Sequence, residues 1–93
     1  GMGKIENSYV IKVMNMSNQS HDFELSVSGI EDLHITTQTQ INVKPGEVYI
    51  LPTSIEVDPS KMETTHYTIE FTVRALDTDL ETSSESRFLG SAD

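Results

Sequence analysis

The sequence predicts an all-β fold, an antiparallel sandwich of about seven short strands in a single domain, and three observations carry that expectation. Apolar residues alternate with period two along most of the chain. Turn-forming clusters recur every 8 to 12 residues or so, and no stretch shows the 3.6-residue period of a helix. Rows that carry Tyr9, Phe23, Tyr67 and Phe71 on one face need a second sheet about 10 Å away to keep these rings out of water.

The first strand is expected from about Ser8 to Met14, with Tyr9, Ile11 and Val13 inward and Ser8, Val10 and Lys12 on the other side. Asn15 to Ser20 is polar apart from Met16, which suits a loop between antiparallel neighbours. His21 to Ser28 alternates again, with Phe23, Leu25 and Val27 inward, and Gly29 ends it. A short extended piece follows from Leu33 to Thr37, then Gln40 to Val43. Lys44-Pro45-Gly46-Glu47 is the sharpest turn signal, because Pro45 presets its φ and Gly46 takes positive φ. From Val48 to Val57, Tyr49, Leu51, Ile55 and Val57 stay in phase, and Pro52 marks an edge or a bulge, which makes this strand a candidate protected edge. Asp58-Pro59-Ser60-Lys61 closes it. Tyr67 to Ala75 alternates most cleanly and is expected to be central, and a Ser- and Thr-rich strand from Glu81 to Phe88 completes the set.

Ninety-three residues suit one domain with its own core. Six basic residues against fifteen acidic ones give a formal charge of -9, which repels phosphate backbones and anionic lipid, so nucleic acid is not an expected partner. With no cysteine, the chain has no disulfide, thiol chemistry or cluster ligation of its own. No run of about 18 apolar residues exists, so direct membrane insertion by this chain is not expected. Gly1 before Met2 reads as a remnant of tag removal over residues 1–3, which leaves room for a membrane segment upstream. The domain is assigned to residues 4–89 and a C-terminal tail to residues 90–93.

Several strings go beyond pattern: Asn7-Ser8-Tyr9, Val13-Met14-Asn15, His21 through Gly29, Lys44-Pro45-Gly46-Glu47, Val57-Asp58-Pro59 and Glu85-Ser86-Arg87-Phe88-Leu89-Gly90. In these strings the chain resembles, almost end to end, the immunoglobulin-like C-terminal domain of FixG proteins. The resemblance implies a parent with several transmembrane helices and a ferredoxin-like segment holding two four-iron clusters upstream, none of whose ligands lies here. It also implies a place on the periplasmic side of the bacterial inner membrane. The parent's implied work is electron transfer or copper handling in maturing cbb-type cytochrome oxidases, with the rest of the parent and oxidase assembly factors as partners.

The domain itself is expected to be non-catalytic. His21, His34 and His66 have no serine or carboxylate at a spacing that suggests an activated pair, and there is no nucleophile elbow. The implied copper context draws attention to Met14, Met16 and His21, since thioether and imidazole suit Cu(I) and residues i and i+2 share a strand face. The plainer reading has Met14 and Met16 as packing residues and the histidines at the surface. Asp77-Thr78-Asp79-Leu80-Glu81 lacks the glycine and ligand series of a calcium loop and reads as a solvated hairpin end. Asn15-Met16-Ser17 and Asn18-Gln19-Ser20 match the glycosylation pattern, without meaning in a bacterial family. Arg87 and Phe88 form either a docking pair or a structural one, in which Phe88 plugs the sandwich and Arg87 pairs with Glu85 or another carboxylate. An adhesive or carbohydrate-binding sandwich would need an exposed aromatic platform, whereas nearly all the aromatics fall on inward rows.

Overall fold

The computed structural model of the protein describes residues 3–90. Within them lie seven strands: β1 (Ile5–Met14), β2 (His21–Ser28), β3 (His34–Ile35), β4 (Gln40–Val43), β5 (Val48–Val57), β6 (His66–Ala75) and β7 (Glu81–Leu89). Residues 1 and 2 of the expected tag remnant, and 91–93 of the expected tail, lie outside the described residues. A three-residue 3-10 turn, Pro59–Lys61, follows β5, with the Asp58 carboxylate accepting from the Ser60 amide at 2.9 Å. That hydrogen bond holds the Asp58 carboxyl below its ordinary pKa.

The strands form two antiparallel sheets, one ordered β1-β5-β3 and the other β4-β2-β6-β7. Strand β6 is central, as its alternation predicts, and its odd-numbered residues Ile69, Phe71, Val73 and Ala75 are buried with Phe23, Leu25 and Ile41 of the same sheet. Val13, Leu51, Ile55 and Val57 close over them from the other sheet. Tyr9 meets Phe71 edge-on across the layers, ring centroids 5.1 Å apart, a favoured aromatic geometry.

Three details differ from the sequence reading. Strand β1 starts at Ile5 rather than Ser8, because Ile5 and Asn7 carry the ladder on to Val57 and Ile55. The Leu33 to Thr37 piece shrinks to two strand residues. Pro52 causes no bulge, since the β1–β5 register runs unbroken from Ile5↔Val57 to Met14↔Val48. The Thr36 amide donates to the Ser54 carbonyl, so even-numbered β5 residues aim their backbone at β3. The nitrogen of Pro52 shares that direction but lies past the end of β3, where a missing N–H costs no ladder bond. Strand β5 is therefore flanked on both sides near Ile55 and is an edge only over its first half, where Pro52 guards it.

Two glycines are required by the backbone. Gly46 has φ +74° inside the predicted turn, closed by the Glu47 amide donating to the Lys44 carbonyl at 3.0 Å. Gly29 has φ +132° and passes so close to β6 that an added Cβ would stand 2.8 Å from the Thr68 carbonyl oxygen.

Candidate functional site

The functional geometry is concentrated where β1 and β7, the edge strands of the two sheets, face each other. At one end they are clasped. Asn7 Nδ2 donates to the Leu89 carbonyl at 2.8 Å, the Leu89 amide donates to Asn7 Oδ1 at 2.9 Å, and the Tyr9 hydroxyl donates to the Arg87 carbonyl at 2.6 Å. Side chains of β1 thus satisfy the outer backbone of the last part of β7, which would otherwise be an unpaired edge. Burial pushes the Tyr9 phenol above its ordinary pKa of 10.0. A folded value above the unfolded one means this contribution to stability is whole below pH 10.0 and fades as pH rises through the folded value. Tyr9→Phe is expected to lose about 1 kcal/mol at neutral pH. It should also lack the wild type's extra fall in urea midpoint above pH 10.0, and parallel alkaline profiles would refute this.

At the other end the strands are unclasped and a groove of about 390 Å³ opens between them. Its apolar lining includes Val13 and Met14 of β1, Met16 of the following loop, Phe23, Val73 and Leu80. Lys12, Glu81 and Thr82 stand among the remaining lining residues. The groove exists because the inward row of β7 is Thr82, Ser84, Ser86 and Phe88: only the last is large and apolar, so only that end is filled. The loop wall is held by Asn15, 1% exposed, whose Nδ2 donates to the Gln19 and Val43 carbonyls at 2.7 and 2.8 Å. Its Oδ1 accepts from the Ser17 amide and hydroxyl. Asn15→Ala should therefore cost about 2–3 kcal/mol, read as a shift in urea midpoint, because it strands buried backbone groups. A change under about 0.5 kcal/mol would contradict that.

The structure brings Met14 and Met16 to the same groove, and Met16 is 85% exposed. His21 is not among the groove's lining residues. Contrary to the surface position the sequence suggests, His21 is 5% exposed, packs on Phe23, and aims Nδ1 at both Asp77 carboxylate oxygens at 2.9 and 3.1 Å. Asp77 stays in the solvated β6–β7 turn, exposed, and through this contact ties that turn to β2. His34 is exposed on β3 beside Glu56 at 3.2 Å, His66 is exposed at the start of β6, and Met62 is half-buried against the core. Among the described residues no group of three His, Cys, Asp or Glu side chains could hold a metal.

Phe88 is fully buried, whereas Arg87 is exposed and makes no ion pair among the described residues, so the expected bridge to Glu85 is not formed. Their division follows from period two: Phe88 falls on the inward row of an edge strand and Arg87 on the outward one. All six aromatic side chains lie on inward rows, buried or half-buried, so none forms a platform on an outer face. The outer face of β1 and β5 instead carries exposed aliphatic residues, Val10, Met14, Val48 and Ile50, grouped around Lys12, which stands opposite Ile50 in register. The sequence reading missed this patch, Asn15 and the groove. The patch and the groove had signals, the apolar residues on both faces of β1 and β5 and the small polar inward row of β7, whereas Asn15 had none.

Two sheets with this strand order, closed over one core and clasped between their edges, define an immunoglobulin-like sandwich domain. The family described as "IG-like fold at C-terminal of FixG, putative oxidoreductase" matches residues 1–91. A crystal structure of a FixG-related protein from Vibrio parahaemolyticus is similar, with a TM-score of 0.89 at 35% identity over 95% of this chain and 81% of that one. No curated protein matches. The chain belongs to the FixG family, as its C-terminal immunoglobulin-like domain.

Proposed function

We propose that this domain is the non-catalytic interaction module of a FixG-type membrane iron-sulfur protein. In this reading it stands on the periplasmic side of the bacterial inner membrane and docks its parent onto the machinery that matures cbb-type cytochrome oxidases. Two four-iron clusters in the upstream part of the parent carry the electron transfer. The observation that carries the reading is the uncovered aliphatic surface of β1 and β5, where Val10 is 63% and Ile50 51% exposed. These side chains surround Lys12, and an exposed apolar cluster with one charge among it marks a contact surface. The histidines support it, because His21 is engaged with Asp77 and His34 with Glu56.

The test is association of the domain with detergent-solubilised oxidase subunits and assembly factors, measured by interferometry. Binding at about 1–50 µM is expected, weakened at least about tenfold by Val10→Asp with Ile50→Asp. No association at about 100 µM would end the proposal.

A second reading rests on Met14 and Met16 sharing one groove: the two thioethers offer Cu(I) a soft pair of ligands. Titration of Cu(I) into the wild type and into Met14→Ala with Met16→Ala decides it, and equal affinities would retire the site.

A further inference from the structure

We propose that the groove between β1 and β7 is a strand acceptor, and that its occupant is an extended partner segment with apolar residues on one face and basic residues on the other. The proposal deepens the reading of the domain as an interaction module; its groove adjoins the outer β1–β5 patch at Met14 but is centred on the edge of β7.

Four observations converge on it. First, the edge is open. The Leu80 carbonyl accepts from Ala75 of β6, while Arg87 and Leu89 turn their backbone to Asn7 and Tyr9 of β1. Odd-numbered residues of β7 therefore face away from β6, and the clasp serves only the last of them. Among the described residues nothing meets the outward amides and carbonyls of Glu81, Ser83 and Glu85.

Second, the space beside that edge is apolar and shaped for side chains. A strand added along Glu81 to Glu85 would turn alternate residues inward over Thr82 and Ser84, whose small side chains leave room above Val73, Phe71 and Phe23. The groove's 390 Å³ lies within the range that binds ligand-sized apolar groups.

Third, two of the three outward side chains of the same stretch are acidic. Glu81, Ser83 and Glu85 face solvent, and Asp79 stands on the adjoining turn. Glu81 lies opposite Arg74, whose guanidinium is turned to Glu24. Glu85 lies directly opposite Glu70 in register, an unfavourable like-charge pair on one sheet face that a neighbouring cation would relieve. Outward residues of an added strand fall next to Glu81 and Glu85, which is where Lys or Arg would be drawn.

Fourth, the charge argues against a second copy of this chain as occupant. Another chain of charge -9 would set Glu81 and Glu85 against their own copies.

The experiment titrates the 93-residue chain with a ten-residue peptide alternating Lys and Val, followed by calorimetry and amide exchange. Binding at about 10–100 µM is expected, with new exchange protection at Glu81, Ser83 and Glu85. The same peptide with Glu in place of Lys, or with its residues reordered out of alternation, should bind at least about tenfold more weakly. Ser83→Pro removes the outward amide without touching the β6 ladder, and should abolish binding while the far-ultraviolet spectrum stays that of the wild type. Should that variant unfold, Glu81→Lys with Glu85→Lys keeps the question open to test, since it should switch preference to the Glu peptide. Protection appearing elsewhere, or equal affinity of the Lys and Glu peptides, would overturn the proposal. Oxidase subunits that bind wild type and Ser83→Pro equally would overturn the groove as their docking site and leave the module reading standing. Peptide binding without oxidase association would do the reverse.

Discussion

Phe88→Ala is expected to lower the unfolding free energy by about 3–5 kcal/mol. Phe88 is completely buried on the inward row of β7, opposite Tyr67, and is the one large side chain by which this edge strand enters the core. Its removal leaves a void between the sheets at the clasped end, where Asn7 and Tyr9 hold the backbone and limit collapse into the space. Against a total stability of about 5–15 kcal/mol for a domain of this kind, the midpoint of thermal unfolding should drop by roughly 20 °C. Arg87→Ala, one residue away on the exposed side, should stay within about 0.5 kcal/mol. Differential scanning calorimetry of the pair checks both, and similar effects from the two would mean that the inward and outward rows of β7 are misassigned.

The second large effect is expected at Gly29. Alanine there combines a φ of +132°, a region closed to residues with a side chain, with a Cβ 2.8 Å from the Thr68 oxygen and 3.0 Å from the Ile69 Cα. Both neighbours are backbone of the central strand β6, so neither yields cheaply. A loss of about 3–5 kcal/mol in urea unfolding follows from strain and overpacking together. Gly46→Ala provides the comparison: its φ is +74° but nothing lies within 4 Å of the added Cβ, so strain acts alone and the loss should be about 1–2 kcal/mol. Equal losses at the two positions would show that the close approach to β6 contributes nothing.

How far the chain could be read in advance depended on whether a feature is local. The rows Tyr9-Ile11-Val13, Phe23-Leu25 and Ile69-Phe71-Val73 follow from alternation alone, because burial on one face of a pleated strand is a period-two property. The turn at Pro45-Gly46 is equally local. Pro52 marks an edge or a bulge in the sequence; the structure gives the edge and no bulge, and sequence does not say that β3 stops short of it. The role of His21 was hidden because its partner Asp77 is 56 residues distant, brought near by the pairing of β2 with β6. Asn15 was hidden by its surroundings, since a buried asparagine in a polar loop has the composition of an exposed one. The groove is a property of two strands meeting, and Thr82, Ser84 and Ser86 reveal it only once β1 is known to face them.

The clasp also gathers the two ends of the sandwich. Asn7, near the start of β1, and Leu89, at the end of β7, are hydrogen-bonded to each other, so the first strand begins and the last one ends at one corner of a body 49 Å long. Met14, seven residues along β1 from Asn7, accordingly sits about 23 Å out from that corner. Its reach comes from the rigidity of paired strands, independent of any flexible tether.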